Sequence, residues 1–202
     1  MGVPVAGDQA RTRAAAAAMT TMKYLSAYPA PLVAQVRRLM DEGQLAPLLV
    51  KRYPTVHAVR TDAALYAYVG ELKAAFMRKA DPLSRVSYDN RLHVVRHALG
   101  THTTISRVQG TRLKAKREIR IAGLFRDLPT EFLRMIVVHE LAHLKEREHD
   151  RAFYQLCAHL EPGYGQYEFD LRAYLCHLEA GGATLWSVPR PGLARAADAG
   201  RA

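Results

Sequence analysis

Cysteine is scarce in this chain, with only Cys157 and Cys176 among 202 residues. Two thiols, each in a segment that reads as helix, cannot form a disulfide framework; they are expected as free core thiols of a cytoplasmic protein. Long apolar runs are absent as well. No stretch approaches eighteen residues, because Pro29 and Pro31 interrupt Tyr24 to Val36, so no transmembrane helix is expected. The alanine run Ala14 to Ala18 behind Arg11 and Arg13 contains no Leu, Ile or Val, which speaks against a secretory signal. Ala6 stands where a myristoylation signal needs Ser or Thr. There is no internal repeat. Acidic residues are outnumbered, nineteen against twenty-nine Lys and Arg, for a net charge of +10.

Against these absences, residues 139 to 149 read HELAHLKEREH. At a rise of about 1.5 Å and 100° per residue, His139 and His143 share one helix face and can converge on one ion. Glu140 flanks that face, where a carboxylate reaches a water at the ion rather than the ion itself, the general-base position of an H-E-x-x-H hydrolase. A catalytic zinc commonly takes three protein ligands and leaves one position open, and His149 is the candidate third. On a continuous helix it would lie about 9 Å along the axis and 120° around from the pair. The helix must therefore end between Leu144 and Glu148, although no Gly or Pro marks a break there. Asp150 supports the break as an N-cap for a fresh amphipathic helix from Arg151 to Leu160. A structural zinc in a non-catalytic binding module is a weaker reading, because such sites usually have four ligands, often cysteine.

The motif, the following Asp150 to Tyr154, the later Tyr167-Glu168-Phe169-Asp170-Leu171 and segments such as Thr104 to Gly110 together resemble the YgjP-like metallopeptidase family, relatives of the SprT-like and WLM zinc peptidases. The resemblance runs from about Tyr24 to Leu178. It implies a minimal gluzincin-like zincin core, one zinc on His139, His143 and His149, and Glu140 as base. It also implies two activities: peptide-bond hydrolysis, placed first, in which Glu140 passes the proton to the leaving amine, and a pyrophosphatase activity on UTP, placed second.

The pattern elsewhere predicts an α+β fold with a small, antiparallel-rich sheet. Helices are expected at Pro31 to Asp41 and Asp62 to Lys79, then strands at Leu92 to Val95, His102 to Val108 and Arg112 to Ile121. Gln109-Gly110-Thr111 would form a hairpin turn. The zinc helices fall within 128–160, and a last helix spans 166–179. One domain is expected over 23–180, with residues 1–22 and 181–202 loose. In the third strand the even positions are charged, so Arg112, Lys114, Lys116 and Arg120 share a face. With Arg107 they form a candidate ledge for an anionic substrate beside the cleft, or merely a solvated outer face. That strand lacks interleaved aromatics for base stacking, so an obligate nucleic-acid partner is not expected; a peptide or nucleotide is. The remaining histidines have no ligand spacing, and Tyr154, Tyr164 and Tyr167 cannot be ranked as oxyanion donors.

Overall fold

The computed structural model describes residues 22–92, 100–109 and 112–186, with backbone alone for 100–109 and 112–116. Pro29 and Pro31 begin α1 (Ala30–Asp41), and Gly43, at φ +67°, ends the turn behind it. A short helix missed in the sequence follows, α2 (Leu45–Arg52); Pro47 lies in its first turn, where a missing N–H costs little. The Thr61 side chain caps α3 (Asp62–Phe76) by accepting from Ala64 N. This helix stops three residues short of the expected Lys79, because Met77 leaves helical geometry and turns into the core, 2 % exposed.

The sheet has strand order β1-β3-β2. Its first strand is β1 (Leu83–Asp89), and the expected strand at Leu92 to Val95 is corrected: Leu92 is in no strand and residues 93–95 lie outside the described residues. The strand forms earlier because Val86 and Tyr88 turn their side chains inward, while Asp62 Oδ1 accepts from Tyr88 N and Tyr88 Oη donates to the Val59 carbonyl. The other strands, β2 (Gly100–Gln109) and β3 (Arg112–Ala122), pair antiparallel from Gly100 opposite Ile121 to Gln109 opposite Arg112. That register brackets the expected hairpin turn, whose Gly110 and Thr111 lie outside the described residues. Residues 117–122 of β3 also pair parallel with β1. β3 is thus the middle strand of the sheet.

Beyond the turn Gly123–Asp127 runs α4 (Thr130–Ala142), buried on nearly every side: Phe132, Leu133, Met135, Ile136, Val137 and Val138 are 0–1 % exposed. It packs against β2, β3 and α3, and against the two helices that follow it, α5 (Arg151–Leu160) and α6 (Tyr164–Glu179). Such a buried helix is a firm mount for a reactive site, since each large apolar side chain stabilises it by about 1.5–3 kcal/mol.

Two corrections concern the ends. Met22, expected in a loose segment, is a core residue at 5 % exposure. Residues 181–186, expected as loose tail, bring Trp186 into the core, where it donates from Nε1 to the Tyr53 carbonyl and meets Tyr174 at 4.9 Å between ring centroids. Residues 1–21 and 187–202 lie outside the described residues. No helix among those described is long and apolar enough to cross a membrane.

Candidate active site

The geometry of the three histidines follows from where α4 stops. It ends at Ala142, two residues before the expected window, with His143 as C-cap. Leu144 N and Lys145 N then bond back to the carbonyls of Leu141 and Ala142, tightening the turn. This overwound turn ends the helix without glycine or proline, and it swings His149 back over the motif. Asp150 caps α5 as expected, its Oδ1 accepting from Phe153 N at 3.0 Å. The same cap sets Phe153, 0 % exposed, beneath all three imidazoles, with centroids 4.9, 4.6 and 4.7 Å from those of His139, His143 and His149. An apolar floor here keeps water off one side of the cluster.

The three Nε2 atoms face one another: His139 to His143 3.3 Å, His143 to His149 3.1 Å, His149 to His139 3.0 Å. Ligand nitrogens on a tetrahedral ion, with bonds near 2.0–2.1 Å, stand about 3.3 Å apart, so this donor set fits a metal. No other group of three His, Cys, Asp or Glu among the described residues could hold one. The far nitrogens of His139 and His143 are held as metal-binding imidazoles require. His143 Nδ1 donates to the Glu146 carbonyl at 3.0 Å, which leaves its Nε2 lone pair free. His139 Nδ1 lies 2.7 Å from Tyr164 Oη, and Tyr164 hydrogen-bonds the Cys157 thiol in turn. Burial, reinforced by His143 and His149, lowers the His139 pKa to about 3, so the ring is neutral over the physiological range. Burial, and then His143, lowers His149 as well.

Glu140 is 1 % exposed, and its Oε2 has no hydrogen-bond partner among the described residues. An orphaned carboxylate oxygen beside three convergent imidazoles is unusual, because burying a charge without a partner is costly. Burial alone raises its pKa to about 8. In the unfolded chain the value is the ordinary 4.5, so the fold holds a proton that the unfolded state releases, and stability falls as pH rises through that interval. Glu140→Gln removes this dependence and keeps every histidine. In chelator, the melting temperature of the Gln variant is therefore expected to exceed that of the wild type by a margin growing from near zero at about pH 5 to several degrees at about pH 8. Scanning calorimetry across that range checks it; a margin independent of pH would contradict the assignment of burial as the cause.

Tyr164 was not singled out by the sequence. It stands 25 residues from His139 on another helix, and only the fold brings them together. Tyr164→Phe removes the hydroxyl that orients His139, and is expected to weaken metal binding by about 10- to 100-fold with the fold intact. Competition with a chelating dye measures this, and unchanged affinity would make the contact incidental. Behind His149 lies a further pair the sequence did not reveal, Glu168 with Arg172 at 2.6 Å, which also anchors the Tyr24 carbonyl.

The basic ledge is only partly met. Arg107 lies opposite Lys114 in the β2–β3 ladder, and Lys116 and Arg112 lie opposite Ile105 and Gln109, but the side chains of all four fall outside the described residues. Arg120 is not a free cation, since Glu118 at 3.5 Å and Asp89 at 3.8 Å neutralise it. Among the described side chains of β3, Arg117, which breaks the alternating pattern, reaches towards the motif. Its Nη1 donates to the carbonyl of Leu144, one residue past His143, at 3.3 Å. His57, the other buried histidine among the described residues, is satisfied by the Phe125 carbonyl and Val59 N and belongs to the scaffold.

A buried H-E-x-x-H helix, a third histidine brought back by a capped turn and an unpartnered carboxylate define the class, a metal-dependent hydrolase. Residues 91–174 match the family model described as YgjP-like, metallopeptidase domain. The chain is also 56% identical over 163 residues to the UTP pyrophosphatase of Escherichia coli (strain K12), an alignment covering 81% of this chain and 98% of that protein. This chain belongs to the YgjP-like family. No solved structure gives a significant match.

Proposed function

We propose that this chain is a zinc-dependent nucleoside triphosphate pyrophosphatase that hydrolyses UTP to UMP and pyrophosphate. The observation that carries the reading is the Glu140 carboxylate, buried and unpartnered, beside three Nε2 atoms at metal-ligand spacing. The 56% identity to a UTP pyrophosphatase favours phosphorus over the peptide carbonyl that the sequence alone places first. In this reading His139, His143 and His149 hold one zinc ion, which, when bound, supplies Lewis acidity to water and phosphate oxygen. Glu140 takes the proton from the attacking water as its oxygen bonds to the α-phosphorus. The bond from that phosphorus to the α–β bridging oxygen breaks, and the electron pair leaves with pyrophosphate. Phe153 and the core behind it exclude water from below, and the Glu146 carbonyl holds the His143 ring in orientation.

Hydrolysis in ¹⁸O-labelled water tests the bond cleaved. The proposal expects UMP and pyrophosphate as products, with the label in UMP. UDP and orthophosphate, or label in pyrophosphate, would contradict it. The family description as a metallopeptidase domain favours a second reading, in which the same base and metal act on a peptide carbonyl. That reading expects cleavage of an unfolded protein substrate with the same dependence on Glu140.

A further inference from the structure

A cavity of about 510 Å³ opens beside the turn that follows His143, within the range that holds nucleotide-sized ligands. Its walls come from the end of α3, the segment leading into β1, β3 and residues 144–145. Four cations line it, Arg78, Lys79, Arg117 and Lys145, against one carboxylate, Asp81. Asp81 is already engaged, 2.7 Å from Arg117 Nη2. Lys79 and Lys145 have no ion-pair partner among the described residues, and both are exposed. Arg78 spends only its Nε, on the Ala74 carbonyl of its own helix. Arg117 holds the Leu144 carbonyl with Nη1 while its buried Nε has no partner. Clustered cations repel one another unless an anion joins them, and a half-satisfied guanidinium is suited to receive one.

One further side chain separates a nucleotide from a bare anion. Phe76, the last residue of α3, lines the same cavity and is 45 % exposed. An exposed aromatic face beside a cationic surface is the combination that binds a base by stacking and its phosphates by charge.

We propose that this cavity is the nucleotide subsite of the enzyme, with the base on Phe76 and the phosphate chain on Arg78, Lys79, Arg117 and Lys145. The inference rests on the pyrophosphatase reading and gives it a substrate-binding surface. Two of the walls, Leu144 and Lys145, follow His143 directly in the chain, which places the cavity beside the turn that carries that histidine. Arg117 ties the two together, because the turn it grips at Leu144 also supplies the Glu146 carbonyl that orients His143.

The test measures binding to the zinc-loaded Glu140→Gln protein by calorimetry, with UTP, inorganic tripolyphosphate and uridine as separate probes. The variants are Phe76→Ala and the double reversal Lys79→Glu with Lys145→Glu, all at exposed positions, where folding is little affected. Phe76→Ala is expected to weaken UTP about tenfold and leave tripolyphosphate unchanged. The double reversal should weaken UTP and tripolyphosphate alike, by tenfold or more, and flatten the salt dependence of both. UTP binding at wild-type affinity in both variants would overturn the proposal. Wild-type turnover of UTP is read separately: its absence refutes the pyrophosphatase reading, whereas the binding of tripolyphosphate and its loss in the double reversal decide the cavity itself.

Discussion

Replacing Glu140 by Gln is expected to lower the turnover of the zinc-loaded enzyme by roughly 10²- to 10⁴-fold, the usual worth of general-base assistance. The amide keeps the size and shape of the carboxylate within a helix packed on all sides, so fold and metal content should survive. Two observations make this residue decisive. Its neighbours Val137, Val138, Leu141 and Ala142 are all buried and apolar, so the helix gives a charge no structural role there. Its Oε2 also makes none of the hydrogen bonds that a structural carboxylate would need. A Gln variant that keeps more than about a tenth of the activity would remove Glu140 as the base.

Loss of His149 should be nearly as severe, by a different route. His149→Ala leaves His139 and His143 in place but removes the third imidazole, which the turn at 143–149 delivers to them. Disturbing an outer partner of a metal ligand commonly costs 10- to 100-fold in affinity, so deleting the ligand itself should cost at least about a hundredfold, with activity falling in step at limiting zinc. Zinc analysis after dialysis against a weak chelator measures it. Full retention of one zinc per chain would exclude His149 from the site. Because His149 is exposed while His139 is buried, its substitution should leave the melting temperature of the metal-free chain nearly unchanged, which separates a ligand from a core residue.

The site was legible in the sequence to the extent that local rules govern it. The i, i+4 spacing of His139 and His143 is a property of any α-helix, and the Asp150 cap is a side-chain-to-backbone bond three residues long, so both can be read from neighbouring letters. The helix ends two residues before the expected window because its end depends on the 144–146 turn, where Leu144, Lys145 and Glu146 are good helix formers and only the back-bonding carbonyls disclose the break. Contacts between distant segments were not legible. Tyr164 on His139, Arg117 on Leu144 and Trp186 on Tyr53 span 25, 27 and 133 residues, and nothing in the local pattern of either partner announces the other. The alternating charges of β3 direct attention to Arg112, Lys114 and Lys116, whereas Arg117, which interrupts the alternation, reaches the turn after His143. The strand at Leu83–Asp89 is hard to read because Val86, Ser87 and Tyr88 are buried in succession on both faces, which blurs the period-two signal on which strand recognition rests.

One measurement addresses the central claim most directly: zinc-loaded protein is incubated in parallel with UTP and with casein, and each reaction is repeated with the Glu140→Gln variant and with excess chelator. The account predicts release of UMP and pyrophosphate from UTP, suppressed about a hundredfold or more by either treatment, and no comparable cleavage of casein. Casein cleavage with that same dependence while UTP remains intact would contradict it, as would UTP hydrolysis that persists in the Gln variant.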